Sequence, residues 1–205
     1  MNINIKTFDD WALSRKDIKM EKGHTKSVNK MISIIKKKSE IINNKFSFLD
    51  LGCGNGWVVR KILKNNNCIN AVGIDGSPNM IKIANEYQNG NFHQERIENI
   101  KFNKKYDIIF SMETFYYLDN IQDVLTNIYK NGIRKNGMII IGIDHYLENE
   151  PTLSWDTDYN LSTKTYGIKK WLSLFKISGF KNTKHMIFGK NKDWHGTLII
   201  FAVKN

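Results

Sequence analysis

A chain of 205 residues with 25% charged and 41% hydrophobic side chains has material for one core, little room for a second domain, and the composition of a soluble globular protein. Two cysteines, Cys53 and Cys68, exclude a disulfide framework and a cysteine-built zinc centre. The formal charge of +11 invites a nucleic-acid reading, yet arginine stands only at Arg15, Arg60, Arg96 and Arg134, and the remaining charge is lysine scattered among asparagine and isoleucine.

No stretch reaches the length of a membrane span, and the opening Met1-Asn2-Ile3-Asn4-Ile5-Lys6 is too polar to precede a signal-peptide core. A reducing cytoplasm is the expected location. From about Ser27 to Ile42, Val28, Met31, Ile32, Ile34 and Ile35 among lysines predict an amphipathic helix. Residues 1–45 are read as an amino-terminal helical cap and 46–205 as the core of a single domain.

Phe46–Leu51 is an apolar strand running into the turn Gly52-Cys53-Gly54-Asn55-Gly56, after which Trp57–Leu63 continues as a helix. Asn70–Ile74 is a second strand ending at Asp75, and Ser77-Pro78 opens a helix reaching roughly Tyr87. Asn91–Gln94 is a short third strand. Tyr106–Ser111 is a fourth, apolar enough to be buried on both faces. A helix over Ile121–Ile133 leads to a fifth strand, Met138–Ile143. A helix near Gly167–Ser178 then precedes two strands around Lys181–Phe188 and Gly196–Val203, joined as a hairpin. This alternation predicts an open, helix-covered, mostly parallel sheet.

A strand entering a glycine-dense turn, with an acid ending the next strand, predicts a nucleoside cofactor at the carboxyl edge of that sheet. Gly52, Gly54 and Gly56 supply positions without a β-carbon. Asp75 offers paired acceptor oxygens for a ribose diol, or caps the helix that begins near Ser77. Asp50 either orients the turn or meets a cofactor ammonium group. A dinucleotide site would need glycine where this chain has Trp57.

Leu49-Asp50-Leu51-Gly52-Cys53-Gly54-Asn55-Gly56, then Val72-Gly73-Ile74-Asp75-Gly76-Ser77-Pro78-Asn79-Met80, then Tyr106-Asp107-Ile108-Ile109-Phe110-Ser111-Met112-Glu113 with Tyr116-Tyr117-Leu118, resemble successive motifs of the class I S-adenosylmethionine-dependent methyltransferases. The resemblance is close over Phe46 to Ile143 and looser beyond. It implies a Rossmann-like α/β fold, a seven-stranded sheet whose last strand inserts antiparallel between the fifth and sixth, and S-adenosyl-L-methionine as cofactor. It implies that Asp75 binds ribose, that Gly76 and Met80 border adenine with Ser77 beside them, that Gly52, Cys53, Gly54 and Gly56 cradle the methionine end, and that Ser111, Met112 and Glu113 lie beneath it. One motif departs. Arg96 occupies the usual position of an acid that accepts from the adenine amino group, so Glu95 substitutes or Ile97 contributes through its backbone and apolar side chain.

Methyl transfer from a sulfonium requires neither metal nor nucleophilic side chain. Ser111-Met112-Glu113-Thr114 differs from the Asn-Pro-Pro-Tyr or Asp-Pro-Pro-Tyr of many nucleic-acid amino methyltransferases, and the cysteine pair of RNA cytosine carbon-5 methylation is missing. Two variable regions remain for an acceptor: the segment with Trp11, Arg15, Met20, His24 and Lys26, and a substrate loop over Asp144–Lys164 whose aromatics and acids suit a cationic or amphipathic molecule. His145 is the candidate general base, with Glu113 and Tyr116 as further catalytic candidates. The leading expectation is a monomeric or weakly dimeric enzyme acting on a small-molecule nitrogen, oxygen or carbon. RNA or protein methylation and a non-catalytic cofactor-binding regulator are the alternatives.

Overall fold

A computed structural model describes residues 2–38 and 40–205. Its centre is a seven-stranded sheet in the order β3-β2-β1-β4-β5-β7-β6. The strands are β1 (Phe46–Leu51), β2 (Cys68–Asp75), β3 (Asn91–Gln94), β4 (Tyr106–Met112), β5 (Ile133–Ile143), β6 (Lys184–Phe188) and β7 (Thr197–Val203). β1 lies parallel to β2 and β4, while β7 runs antiparallel between β5 and β6, as the motifs implied.

The helices are α1 (Ile3–Leu13), α2 (Lys16–Lys38), α3 (Trp57–Ile62), α4 (Pro78–Glu86), α5 (Ile121–Asn127), α6 (Trp155–Asp158) and α7 (Ile168–Ile177). Strand alternation divides the core between the two faces of the sheet. Phe46, Phe48, Ile108, Phe110 and Ile140 pack with Met31, Ile35 and Val59 of α2 and α3. Leu49, Leu51, Ile109, Ile139 and Ile141 pack with Leu125, Trp171 and Phe175 of α5 and α7.

The amino-terminal region differs most from expectation. The amphipathic stripe from Val28 is only the second half of α2, which begins at Lys16. A break at Arg15, whose φ is +59°, separates it from α1. Both helices are held by the core. Asp9 of α1 accepts from the Ser77 hydroxyl at 2.7 Å and the Asn79 amide at 2.8 Å, so α1 is fastened to the start of α4. Asn4 Nδ2 donates to the Ser162 carbonyl at 2.9 Å, and the Ser162 amide donates back to Asn4 Oδ1 at 2.7 Å. The 144–164 segment therefore packs on the amino-terminal helix, joining the two regions that the sequence left as separate candidates.

Candidate active site

The carboxyl ends of β1, β2 and β4 open into a crevice of about 1040 Å³, its solvent-open mouth included, roofed by α1 and α2. This is where an open α/β sheet offers its loops and helix amino termini to a ligand. Asp50, Gly52, Cys53, Gly54, Asp75, Gly76, Met80, Arg96, Ile97, Met112 and Glu113 all line it. Gly56, Ser77, Glu95, Ser111, Tyr116 and His145 are not part of its wall.

The glycines of the turn have different duties. A β-carbon on Gly52 would stand 2.0 Å from Thr114 Oγ1, and one on Gly56 would stand 2.5 Å from the Phe92 ring. Those two positions are emptied by the protein's own packing. At Gly54, φ +52°, an added β-carbon would meet nothing nearer than Met80 Sδ at 4.0 Å. Gly54 is the glycine whose missing side chain leaves space to a ligand.

Asp75 accepts from the Gly54 amide at 2.9 Å through Oδ2 and from the Ser77 amide at 2.8 Å through Oδ1. Capping of α4 falls to Ser77, whose hydroxyl accepts from the Met80 amide at 3.1 Å. Asp75 therefore braces the turn and the next loop while lining the crevice. Burial raises its pKa, the Ser77 and Gly54 amides oppose that, and Asp9 adds to it. Asp50 is buried, takes no side-chain hydrogen bond among the described residues, and is pushed well up by burial and by the charge of Asp75.

Acids missed by the sequence reading come from α2. Asp17 and Glu21 sit one turn apart and both accept from Asn55 Nδ2, at 3.0 and 3.3 Å. Asp17 is buried, and its Oδ1 has no hydrogen bond, Arg15 Nε standing 3.7 Å away. His24 follows on the same face, half-buried, with burial pushing its pKa down to about 4. A polar stripe at Asp17, Glu21 and His24 was the available signal, invisible to a helix begun at Ser27.

At the far end, Arg96 donates to Glu98 Oε1 at 3.3 Å and Asp119 Oδ2 at 2.8 Å, while the Glu95 side chain is exposed. Arg96, Ile97 and Glu98 all reach the crevice there.

Glu113 has φ +57°, a conformation rare for a side-chain-bearing residue, which turns its carboxylate under the crevice floor. Its Oε1 accepts from the Asp144 amide at 2.5 Å and its Oε2 from the Tyr116 hydroxyl at 2.5 Å. Burial, then the nearby Asp144, raises its pKa well above the ordinary carboxylate value. Asp144 is pushed up to about 6 by burial, against the Thr197 hydroxyl beside it. Tyr116 is fully buried and supports Glu113 from behind, whereas Tyr117 reaches the crevice.

The structure does not bring His145 to the site. Its ring is fully buried, with Nδ1 2.9 Å from the Thr152 carbonyl and Nε2 2.8 Å from Thr165 Oγ1. With both nitrogens engaged, the geometry is that of a histidine pinning the 144–164 segment, not of a base facing an acceptor. Nor does any side chain of that segment line the crevice. Trp155 packs between His145 and Trp194 instead. Ser111 is likewise turned inward, donating to the Leu51 carbonyl at 2.7 Å.

A bare turn, a braced acid, the buried Asp50 carboxyl and the Asp17 Oδ1 left without a hydrogen bond suit a ligand carrying a ribose, an ammonium and a sulfonium. The residues present fit that group. A family model described as a methyltransferase domain matches residues 42–179. The chain belongs to that family, within the class I S-adenosylmethionine-dependent methyltransferases, and its cofactor is S-adenosyl-L-methionine. Malonyl-acyl-carrier-protein O-methyltransferase of Bacillus cereus is 34% identical over 110 residues, 52% of this chain and 40% of that protein. Malonyl-acyl-carrier-protein O-methyltransferase 2 of Ilyobacter polytropus is 30% identical over 196 residues, 92% of this chain and 68% of that protein. This chain thus spans less than half of the first relative and about two thirds of the second. Among solved structures, a chain from the complex between the Haloferax volcanii Trm112 methyltransferase activator and a methyltransferase has the same fold, with a TM-score of 0.81, 21% identity and 96% of each chain covered. Among the described residues no helix is long and apolar enough to cross a membrane.

Proposed function

We propose that this chain transfers the methyl group of S-adenosyl-L-methionine to a small-molecule oxygen nucleophile. The observation that carries the reading is the charge of the crevice. In a chain of net charge +11, its wall holds Asp17, Glu21, Asp50, Asp75, Glu98 and Glu113, against Arg96 as its one guanidinium. That wall attracts a sulfonium and an ammonium and repels a phosphodiester backbone. The names of the curated relatives, O-methyltransferases, support oxygen as the acceptor atom. Two free cysteines and the lack of a membrane-crossing helix among the described residues support a cytoplasmic location.

Bound here, the cofactor supplies an electrophilic methyl on sulfur, and the protein's task is alignment and exclusion of water. Asp75 holds the ribose hydroxyls while its bonds to Gly54 and Ser77 keep the turn in shape. Gly54 leaves room for the methionine chain, and Asp50 with Asp17 faces its ammonium group. Gly76 and Met80 border the adenine, and Ile97 with Glu98 contacts its edge. Met112, Glu113 and Tyr117 form the floor where an acceptor meets the methyl, and α1 with α2 closes over both.

Calorimetry with S-adenosylmethionine, S-adenosylhomocysteine and NAD, followed by transfer of labelled methyl to a metabolite extract and to RNA, tests the proposal. Binding of the two adenosyl ligands but not NAD, with label entering small acids or hydroxyl compounds, is expected. No adenosyl binding, or label in RNA alone, would overturn it.

A further inference from the structure

Beside the crevice, three groups from three elements converge. His24 of α2, Glu113 after β4 and Asp144 after β5 each present a ligand-type atom, and the three atoms lie within 4.8 Å of one another. Glu113 and Asp144 are both buried, so water does not screen them from each other. Two further facts point to a missing occupant. Asp144 Oδ1 is buried and has no hydrogen-bond partner. The His24 ring makes no hydrogen bond with any described residue, although imidazoles held in place normally use both nitrogens.

We infer that His24, Glu113 and Asp144 form a site for a divalent first-row cation, Mn²⁺ or Zn²⁺, at the acceptor end of the crevice, with His24 and Glu113 on its wall and Asp144 behind it. An imidazole with two carboxylates is a donor set for such ions, and three protein ligands leave positions open for water or an acceptor oxygen. With bond lengths of about 2.1 Å, tetrahedral ligand atoms stand about 3.4 Å apart, so a cluster whose atoms lie within 4.8 Å of one another draws together on binding. His24 rides on the roof helix and the acids on the sheet, so occupancy would draw α2 onto the crevice. Glu113 already has its outer support: Tyr116 donates to one oxygen and the Asp144 amide to the other, fixing the carboxylate as an outer shell fixes a metal ligand. The inference deepens the proposed function by placing an oxygen acceptor on the cation, where ligation favours its ionised form.

The test uses the full chain, without cofactor, and the ions themselves. Mn²⁺ titration followed by electron paramagnetic resonance should show one ion per chain, with Zn²⁺ displacing it. His24→Ala and Asp144→Asn should each weaken Mn²⁺ at least tenfold while circular dichroism stays unchanged. His24→Ala removes a half-buried group from a helix surface and keeps the test alive should Asp144→Asn fail to fold. In the wild type, Mn²⁺ should also broaden the His24 ring resonances before those of His93 or His185. Absence of both ions, undiminished affinity in His24→Ala, or broadening elsewhere first would overturn the site. S-adenosylhomocysteine affinity, measured separately by calorimetry, decides the proposed function: loss of that binding with metal binding intact would sink the methyl-transfer reading alone.

Discussion

The Asp144 amide donates to Glu113 Oε1 at 2.5 Å, tying the end of β5 to the end of β4 beneath the crevice. Glu113 pays for this position with a left-handed backbone, a conformation costing roughly 1–2 kcal/mol in a non-glycine residue. The Tyr116 hydroxyl on its second oxygen completes the arrangement. Tyr116→Phe leaves that buried oxygen without its donor. Stability should fall by about 1–3 kcal/mol, a loss of roughly 2–4 °C in Tm for each kcal/mol in a domain of this size. Urea and thermal unfolding measure it; an unchanged midpoint would remove Tyr116 from this supporting role.

Asp75→Ala should weaken S-adenosylhomocysteine by about 10- to 100-fold, since charged hydrogen bonds contribute about 1.5–3 kcal/mol and each 1.4 kcal/mol is tenfold. Both the ribose contact and the brace on the Gly54 amide are removed. Asp75→Asn, which retains one acceptor oxygen, should fall between. Calorimetry on the three proteins gives the ranking, and equal affinities would contradict the role assigned to this carboxylate.

The turn glycines should separate by phenotype. Gly52→Ala forces a β-carbon against Thr114 Oγ1, 2.0 Å away, and should appear as a loss of folding stability. Gly54→Leu directs its side chain into the open crevice, where the nearest atom to the β-carbon is 4.0 Å away. Beyond the strain common to both positive-φ sites, it should retain the fold and lose cofactor binding. Thermal shift with and without S-adenosylhomocysteine distinguishes the two.

His145→Gln should lower the unfolding temperature, because a fully buried ring bonded to Thr152 and Thr165 is replaced. The pH–rate profile of methyl transfer should keep its wild-type midpoints. A shifted or missing limb in the variant would return His145 to the chemistry.

Asp107, at the opposite end of β4 from the crevice, sets an acid-side stability limit. Burial would raise its pKa, but the Ser47 hydroxyl and amide, at 2.7 and 2.8 Å, and Arg134 Nη1, at 2.7 Å, outweigh it and bring the value below the ordinary carboxylate. A depressed folded-state pKa adds stability above the unfolded value near 4 and loses it as pH falls through the folded one. Asp107→Asn should therefore be less stable than wild type at neutral pH, by about 1–3 kcal/mol, with the gap closing toward pH 3. Cofactor affinity should not change.

Strand and turn were legible because their signals are local. Phe46–Leu51 and Tyr106–Ser111 are mostly apolar, with Ser47, Asp50, Asp107 and Ser111 as the polar exceptions, and near-continuous apolar runs of this kind mark buried parallel strands. Pro78 after Ser77 marks the start of α4 with side-chain chemistry confined to one turn. β5 begins five residues before the apolar run from Met138, because Ile133 pairs with Tyr106 across an irregular stretch whose exposed Arg134, Lys135 and Asn136 carry no strand pattern.

Chain order and residue type by themselves specify the sheet, the glycine turn and the acid that ends β2, since each depends on contacts between neighbours or on periodic burial. Which side chains share the crevice is settled only by packing across the whole molecule. Asp17, Glu21 and His24 meet Asn55 and Glu113 because α2 lies over the sheet, and His145 is withdrawn because the 144–164 segment folds back toward α1. Those distances arise from the docking of helices on a closed core, a long-range event that leaves no periodic mark in the residues it brings together.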